Sequence, residues 1–402
     1  MRATRALALT AVLLLTGCAE RVPAPEYPQR YGLRPAAADP GRQARRQRIL
    51  DARPEIEAMV YERFGAERMP ALAAAVLDGG ELLWSRVFGV RDLSAGGELS
   101  AHTVFRIGSV TKTVTAMAML RLRDEGLLAL DSPAVAWLPE LGEVLYPTLD
   151  SPLVTSRHLL THSSGLPRLG RLSYASRPEP VSEADLVAGL KGLRLEHVPG
   201  TDHVYSNLGF GLLGLVVGRA SGVPYRRYVS EEILAPLGMS GTAWEAEQVP
   251  PGRLATGYAL EGEKYVTGPH WRMGAAEALG GLYASLDDMI RYAAFHLTAW
   301  PPDARPDREP LRNASVRESH LLGGFARASG QGTGLGWVVS ELRAAGHAVS
   351  HVGATRFYAA VVMFLPEHQL GFVALTSCGQ LNGALDKLAA AVLRKLVLRA
   401  KG

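Results

Sequence analysis

Cysteine is scarce in this chain of 402 residues, and its scarcity excludes a fold held together by disulfide bonds. The two cysteines are Cys18, near the start, and Cys378, near the end. Because Cys378 follows a strand-like run, we expect a buried structural thiol there and not a nucleophile. The folded body must therefore be stable through its hydrophobic core alone, and about 350 residues are enough for that.

An excess of charge of one sign is also missing. The formal net charge is +4, with basic and acidic residues nearly balanced. Binding of nucleic acid usually needs a strongly basic surface. The composition therefore predicts no nucleic-acid partner.

Three other kinds of site lack essential residues. No Gly-x-Ser-x-Gly sequence is present, which excludes the nucleophile elbow of an α/β-hydrolase. The glycines between Gly330 and Gly336 lack the strand and the spacing of a phosphate-binding loop. His158 and His162 have the spacing of a zinc site, but Leu159 stands where a zinc protease carries its glutamate. We therefore expect neither a metal nor a cofactor.

The N-terminal segment predicts export and attachment to a membrane. Two arginines precede an apolar run from Leu7 to Leu15, and Leu-Thr-Gly-Cys at 15–18 closes it. This pattern is typical of a secretion signal at residues 1–17 and resembles a bacterial lipobox. The resemblance implies a lipid on Cys18 that holds the protein at the periplasmic face of a membrane. Ala19 follows instead of aspartate, which favours the outer membrane; an uncleaved anchor or an ordinary signal is the alternative.

Residues 18–48 are rich in Pro, Ala and Arg and lack apolar periodicity. This composition predicts a flexible linker between the lipid and a catalytic body at residues 49–402.

Ser109 and Lys112 form the most informative motif of the chain, at the start of an apolar stretch. Residues three apart on a helix share a face, so the hydroxyl and the amine can form a hydrogen bond. Burial disfavours an ammonium, so this lysine can be neutral and accept the serine's proton. Backbone N–H groups at the helix start would stabilise an oxyanion beside Ser109. The motif predicts a serine nucleophile that carries its own base.

Tyr205 and Asn207 lie after a Pro-Gly turn and just before an apolar helical run. The ordinary pKa of tyrosine is about 10, so Tyr205 becomes a base only if a cation such as Lys112 stabilises its phenolate. The pair would take the proton of Ser109 and return it to the leaving group. Asn207 could orient Lys112 and a substrate carbonyl. The structural alternative for Tyr205-x-Asn207 is a simple helix start.

His351 and Gly353 precede another strand-like run. Gly353 would let a substrate lie against the strand, and His351 would donate a hydrogen bond to a substrate carboxylate or to Tyr205. An imidazole is charged only part of the time near neutral pH, so a carboxylate would bind less tightly than to lysine. Close backbone packing at a strand edge is the structural alternative.

Together, Ser-x-x-Lys, Tyr-x-Asn and His-x-Gly resemble the signature of serine β-lactamases and penicillin-binding proteins. The stretches His158–Pro167 and Gly280–Met289 resemble segments of the class C β-lactamase, D,D-peptidase and esterase branch. The resemblance extends from about residue 50 to the C-terminus. It implies that the backbone N–H of Ala354 is a second oxyanion donor, opposite that of Ser109.

The order of the predicted elements favours an α+β fold of the β-lactamase/transpeptidase type, with an antiparallel sheet flanked by helices. Predicted strands and a final helix lie at Ala71–Leu77, Leu82–Val87, Leu335–Val339, Tyr358–Leu365, Leu370–Thr376 and Leu385–Leu398. A sheet part, residues 49–105 and 331–402, would enclose a mostly helical part, residues 106–330. The cleft between these two parts would hold the site.

We therefore expect an exported serine hydrolase that forms an acyl-enzyme on Ser109. D-alanyl peptides, β-lactams and small esters are the candidate substrates, because no motif constrains the pocket loops Tyr265–Met273 and Arg308–Ala328. Two alternatives remain open: a non-catalytic protein that binds penicillin or cell-wall fragments, and a carboxylesterase of the same fold.

Overall fold

The computed structural model describes residues 40–170, 179–303, 305–325 and 332–401. The predicted secretion signal, Cys18 and most of the predicted linker lie outside these residues. The strands are β1 Ala71–Asp78, β2 Glu81–Gly89, β3 Val104–Arg106, β4 Ala259–Glu261, β5 Lys264–Val266, β6 Tyr283–Ser285, β7 Gly324–Phe325, β8 Gly332–Thr333, β9 Val338–Leu342, β10 Gly346–Ala354, β11 Ala359–Leu365 and β12 Leu370–Thr376. The helices are α1 Pro40–Asp51, α2 Arg53–Ala66, α3 Thr111–Asp124, α4 Ser156–Leu160, α5 Glu183–Ala188, α6 Asn207–Ser221, α7 Tyr225–Val229, α8 Leu286–Thr298, α9 Asn313–Ser319 and α10 Asn382–Lys401.

Eight strands form one antiparallel sheet in the order β2-β1-β12-β11-β10-β9-β8-β7. The first strand lies beside the last, with Leu72 opposite Thr376 and Asp78 opposite Leu370. Strands far apart in sequence therefore pair around the long segment between them. Within that segment, β3 pairs with β6 and β4 pairs with β5. The predicted α+β fold, an antiparallel sheet with flanking helices, is confirmed.

The central strands of the sheet are buried on both faces. In β1, alternate residues belong to two different hydrophobic clusters, one on each side of the sheet. Ala71, Ala73 and Ala75 point to one side, and Leu72 and Ala74 to the other. Helix α8 packs against β1 and β12, while α10 packs against β11 and β12. The two buried faces explain why β1 is apolar throughout and does not alternate with polar residues.

Most predicted boundaries agree with the structure to within three residues. The hairpin of β1 and β2 forms where it was predicted, and β12 has the predicted ends. The predicted strand Leu335–Val339 begins too early. Gly336 has a φ of +80°, and a Cβ there would lie 2.8 Å from Ala116 of α3, so this segment is a loop packed on the helix. Strand β9 starts at Val338, three residues after the predicted start.

The predicted linker extends too far along the chain. Helix α1 begins at Pro40, where the sequence analysis still placed the linker. Arg45 pairs with Asp78 at 2.9 Å, and Ile49 is buried against the sheet face that α10 covers. Arginine, glutamine and aspartate make up most of α1, so the sequence gives little sign of its short apolar side.

No single helix among the described residues is long and apolar enough to span a bilayer. Asn207–Ser221 and Tyr225–Leu234 reach the required length and composition only together, as a pair bent by 81°.

A buried pair of histidines lies between α8 and the end of α9. The indole N–H of Trp300 donates to Nδ1 of His320 at 3.1 Å, so the proton of a neutral His320 ring is on Nε2. That N–H donates to Nδ1 of His296 at 3.0 Å. Burial lowers the pKa of His296 to about 3, and it lowers the pKa of His320 well below the ordinary value. Both rings are therefore neutral in the folded protein at neutral pH.

This pair predicts a loss of stability in mild acid. An unfolded histidine binds a proton near pH 6.5, but the folded one does so only at much lower pH, so the unfolded state takes up more protons as the pH falls. Each such histidine lowers the free energy of unfolding by up to about 1.4 kcal/mol per pH unit below 6.5. Urea unfolding curves between pH 7 and pH 5, above the carboxylate range, should show this decline. A constant free energy of unfolding over that interval would contradict the assignment of neutral rings.

Candidate active site

Ser109 lies in one turn of 3₁₀ helix, Gly108–Val110, that joins β3 to α3. Gly108 has a φ of +52°, in the left-handed region that glycine adopts without strain. One turn further along, Nζ of Lys112 lies 3.2 Å from Oγ of Ser109. The same nitrogen donates to the carbonyl oxygen of Leu279 at 2.5 Å. The predicted contact between serine and lysine is therefore confirmed.

Lys112 is fully buried within a helix whose first ten residues have no exposed face. Burial lowers its pKa well below the ordinary value, and the nearby charge of Arg168 lowers it further. A neutral amine has a lone pair that can accept the proton of Ser109. The hydrogen bond to Leu279 holds the nitrogen in place while that lone pair stays available.

Tyr205 lies beside this pair, just before α6. Its ring centroid is 5.1 Å from Nζ of Lys112 and 4.4 Å from the ring centroid of His162. Tyr205 and Ser109 line one cavity of about 410 Å³, together with His351. The structure therefore brings the amine, the phenol and the alcohol together at one cleft.

Asn207 is buried and is the first residue of α6. Its backbone N–H donates to the carbonyl oxygen of Arg168 at 2.8 Å, and Ser206 caps the helix by accepting from the N–H of Gly209. Asn207 therefore lies at a helix start, which does not decide between the structural and the functional interpretation of this motif. The predicted orientation of Lys112 by the Asn207 amide stays a prediction.

His351 lies in β10 and lines the larger cavity. Burial lowers its pKa to about 3, so the ring is neutral at neutral pH. The Nδ1–H donates to the carbonyl oxygen of Val352 at 3.0 Å, which leaves Nε2 as an acceptor. The expected partial charge on His351 is therefore wrong, because the sequence did not reveal how deeply the ring is buried. A neutral ring protonated on Nδ1 also cannot donate from Nε2 to a substrate carboxylate.

The backbone of β10 packs directly against the turn that holds Ser109. A Cβ on Gly353 would lie 1.9 Å from the carbonyl oxygen of Ile107 and 3.2 Å from the nitrogen of Ser109. A Cβ on Gly108 would lie 3.0 Å from the nitrogen of Ala354. Because neither glycine has a side chain, β10 and the turn that holds Ser109 can approach closely. The backbone nitrogens of Ser109 and Ala354, the two predicted oxyanion donors, therefore lie at the same cleft.

We expect Gly353→Ala to destabilise the protein and to impair any chemistry at Ser109. The added methyl group meets backbone atoms that cannot rotate away, so the free energy of unfolding should fall by about 3 kcal/mol or more. Gly383→Ala is the matched control, because its Cβ would meet nothing within 4 Å and it lies in the first turn of α10. The control should be as stable as the parent or slightly more so. Equal melting temperatures for the two variants would refute the close approach.

A second cavity, of about 180 Å³, also has Ser109 in its wall. Ala354 and Thr355 line it from the sheet side, and Trp271 and Met273 line it from a loop. Arg106 and Arg356 line it as well, and the guanidinium carbon of the buried Arg106 lies 4.7 Å from the indole centroid of Trp271. The nucleophile therefore lines two cavities of different size.

Two residues of the site were missed by the sequence analysis. The guanidinium carbon of Arg168 lies 5.1 Å from the Tyr205 ring centroid, and Arg168 lines the larger cavity. His162, considered above only for its zinc-site spacing, accepts a hydrogen bond from the backbone N–H of Ser206 at 3.0 Å and fixes the segment that carries Tyr205. Both lie in or next to the stretch His158–Pro167, so the family resemblance was the signal that could have found them.

The arrangement contains what acyl transfer requires: an alcohol with a buried amine as base, a phenol, and two backbone N–H groups. Among residues 40–170, 179–303, 305–325 and 332–401, no group of three or more His, Cys, Asp or Glu side chains could hold a metal ion.

Comparison with known sequences agrees with this geometry. Residues 48–396 match the profile of the family described as Beta-lactamase. The chain is 32% identical over 337 residues to "Esterase EstB" of Burkholderia gladioli, covering 75% of this chain and 83% of that protein. It is 31% identical over 255 residues to "Beta-lactamase-like protein 2" of Dictyostelium discoideum, covering 61% of this chain but only 46% of that longer protein.

Solved structures show the same fold. The octameric penicillin-binding protein homologue from Pyrococcus abyssi superimposes with a TM-score of 0.72 at 25% identity, over 86% of this chain and 77% of that chain. A structure described as SurE superimposes with a TM-score of 0.70 at 25% identity, over 89% and 77%. The fold, the Ser109–Lys112 geometry and the family match lead to one conclusion: the chain belongs to the beta-lactamase family, in the β-lactamase/transpeptidase-like superfamily.

Proposed function

We propose that this protein is a serine hydrolase that cleaves esters through an acyl-enzyme on Ser109. The observation that carries the proposal is the fully buried Lys112, with its nitrogen 3.2 Å from Oγ of Ser109 and its pKa lowered by burial. A neutral amine at that distance activates an alcohol. A protein that only binds its ligand gains nothing from burying a lysine against a serine hydroxyl, which argues against the non-catalytic alternative.

The positions of the groups support the following steps. Oγ of Ser109 attacks the ester carbonyl carbon, and its proton passes to Lys112, with Tyr205 beside it. The carbonyl oxygen becomes an oxyanion between the backbone N–H groups of Ser109 and Ala354. When the C–O bond to the leaving group breaks, Tyr205 gives its phenolic proton to the departing alcohol, and the proton held by Lys112 passes to Tyr205. Water then attacks the acyl-enzyme while Lys112 accepts one of its protons. When the bond between the acyl carbon and Oγ breaks, that proton passes through Tyr205 to Oγ, which regenerates Ser109 and releases the carboxylic acid.

The neutral His351 favours esters over β-lactams and D-alanyl peptides. Both of the latter carry a carboxylate, and His351, protonated on Nδ1 and bonded to Val352, gives it neither a charge nor a donor. Esters also have a better leaving group than amides. The similarity to a protein named an esterase supports the same choice. D-alanyl peptidase activity is the second candidate, because the fold is similar to that of a penicillin-binding protein homologue.

A substrate panel on the purified protein, produced from residue 19 onward, tests the proposal. We expect turnover of p-nitrophenyl acetate and butyrate, little turnover of nitrocefin, and little release of D-alanine from a diacetyl-lysyl-D-alanyl-D-alanine peptide. Release of D-alanine that is faster than ester hydrolysis would favour the second candidate. No hydrolysis and no labelling by a fluorophosphonate probe would refute a serine hydrolase altogether.

We also propose export and lipid attachment at Cys18, on the basis of residues 1–18 of the sequence. Incorporation of labelled palmitate into the full-length protein, lost in Cys18→Ser, is the expected result. A soluble protein without label would contradict the proposal.

A further inference from the structure

One residue, His162, holds the chain on both sides of Tyr205. The backbone N–H of Val204 donates to the carbonyl oxygen of His162 at 2.9 Å. The backbone N–H of Ser206 donates to Nδ1 of the same histidine at 3.0 Å. The ring of His162 also lies against the ring of Tyr205, with the centroids 4.4 Å apart. His162 therefore contacts the phenol ring and the backbone of both neighbours of Tyr205.

The ring of His162 is neutral and has its proton on Nε2. A backbone N–H can only donate, so the Nδ1 that accepts from Ser206 has no proton. The side chain is buried, and burial lowers the pKa of His162 well below its ordinary value. Nδ1 therefore remains an acceptor for Ser206 at neutral pH.

The backbone conformation of His162 favours a different residue. Helix α4 ends in a Schellman motif, in which the N–H of His162 donates to the carbonyl oxygen of Leu159 at 3.3 Å and the N–H of Ser163 donates to that of His158 at 2.9 Å. The motif requires a left-handed residue, and the φ of His162 is +57°. Glycine is the usual residue there, because a Cβ makes this conformation unfavourable. A buried histidine in its place indicates that the side chain has a function of its own.

Helix α2 ends in the same way without burying a side chain. Arg68 has a φ of +51° and donates its N–H to the carbonyl oxygen of Gly65 at 3.0 Å, and Met69 donates to that of Phe64 at 3.1 Å. The side chain of Arg68 is exposed, whereas His162 is only 3% exposed. The backbone motif by itself therefore does not require a buried side chain.

The position of Tyr205 matters for one of the two proton transfers of acylation. In the proposed function, on which this inference rests, Tyr205 gives its proton to the departing alcohol, and Lys112 takes the proton of Ser109. The carbonyl oxygen of Leu279 holds Lys112 in place independently of Tyr205. A displaced Tyr205 would therefore impair protonation of the alcohol more than activation of Ser109. A displacement of about 1 Å can cost roughly 10²-fold in rate.

We propose that His162 is a positioning residue that orients Tyr205 for protonation of the leaving alcohol. Its Nδ1 and its carbonyl oxygen hold the backbone on both sides of Tyr205, and its ring limits movement of the phenol. His162 touches neither the substrate nor the reacting atoms. Its contribution is therefore largest for esters whose alcohol needs a proton in order to leave.

Ethyl butyrate and p-nitrophenyl butyrate separate the two proton transfers. Both form the same butyryl-enzyme, but the ethyl ester must release ethanol, whereas p-nitrophenolate is a stable anion that leaves without a proton. The constant kcat/KM reports the steps up to release of the alcohol and excludes the later attack of water. The ratio of the two constants within one variant does not depend on how much of the protein is folded.

Two variants remove the acceptor. His162→Gly suits the left-handed backbone, and His162→Phe keeps a buried ring. In both we expect kcat/KM to fall about hundredfold for ethyl butyrate and less than about tenfold for p-nitrophenyl butyrate. His162→Asn should keep most of the parent ratio, because its Oδ1 takes the place of Nδ1 and asparagine tolerates this conformation. Arg68→Gly, the same backbone change at the end of α2, should leave the ratio unchanged.

The outcomes distinguish this inference from the proposed function. Equal losses for the two esters in the glycine and phenylalanine variants would show that His162 does not act through Tyr205. The parent ratio in both variants, or an asparagine variant that behaves like the glycine variant, would also overturn the inference. A parent protein that hydrolyses p-nitrophenyl butyrate but not ethyl butyrate would remove Tyr205 as proton donor, and the inference with it. Hydrolysis of neither ester by the parent would refute the proposed function itself.

Discussion

Replacing Lys112 by methionine should lower kcat/KM for an ester by roughly 10³-fold or more, because a general base contributes about 10²–10⁴ to acyl transfer. Methionine has nearly the shape of lysine and suits a buried position, so the fold should persist. The carbonyl oxygen of Leu279 loses its donor, which should lower the free energy of unfolding by only about 1–3 kcal/mol. Initial rates with p-nitrophenyl acetate and a thermal melt measure the two effects.

Lys112→Arg is the informative control for this prediction. Arginine places a permanent positive charge and hydrogen-bond donors at the position and cannot lose its proton in a protein. If Lys112 acts as a neutral base, the arginine variant should be as inactive as the methionine variant. Substantial activity of a folded arginine variant would show that the position needs a charge and not a base.

Replacing Ser109 by alanine should have the largest effect, a loss of roughly 10⁵-fold in kcat. The side chain makes one hydrogen bond and lies at the edge of two cavities, so its removal should hardly change the melting temperature. Ester hydrolysis and labelling by a fluorophosphonate should both disappear. Ser85→Ala, on β2 and away from both cavities, should retain both properties.

A folded Ser109→Ala protein that still hydrolyses the ester near the parent rate would remove Ser109 from the mechanism. The remaining activity would then have to come from another nucleophile or from an activated water.

Much of the fold could be predicted because its strands and helices have strong local patterns. The turn Asp78-Gly79-Gly80 predicts the first hairpin, and the apolar run Leu370–Thr376 matches a central strand along its full length. Helix α1 was not predicted, because Pro40 and the arginines after it are typical of a linker and its apolar side is short. The start of β9 was predicted too early. The segment around Gly336 is a loop because it packs on α3, and the local sequence does not show that contact.

In the candidate site, too, contacts within one local segment could be predicted from the sequence, whereas contacts that depend on packing could not. Ser109 and Lys112 lie three residues apart on one helix, so local geometry alone brings them together. The approach of Tyr205 depends on the packing of α6 against α3 and α4, which are distant in sequence, and only the family resemblance predicted it. The neutral state of His351 and the position of Arg168 over Tyr205 depend on burial and on side-chain packing, which no local pattern records.

The most direct test of the account is to find the covalent intermediate. The protein is mixed with p-nitrophenyl butyrate, quenched in acid during turnover, digested and analysed by mass spectrometry. The account predicts one butyryl group on the peptide that contains Ser109, and none on that peptide from Ser109→Ala. A butyryl group found on a different residue, lost when that residue is replaced, would contradict the account even if the protein proves to be an esterase.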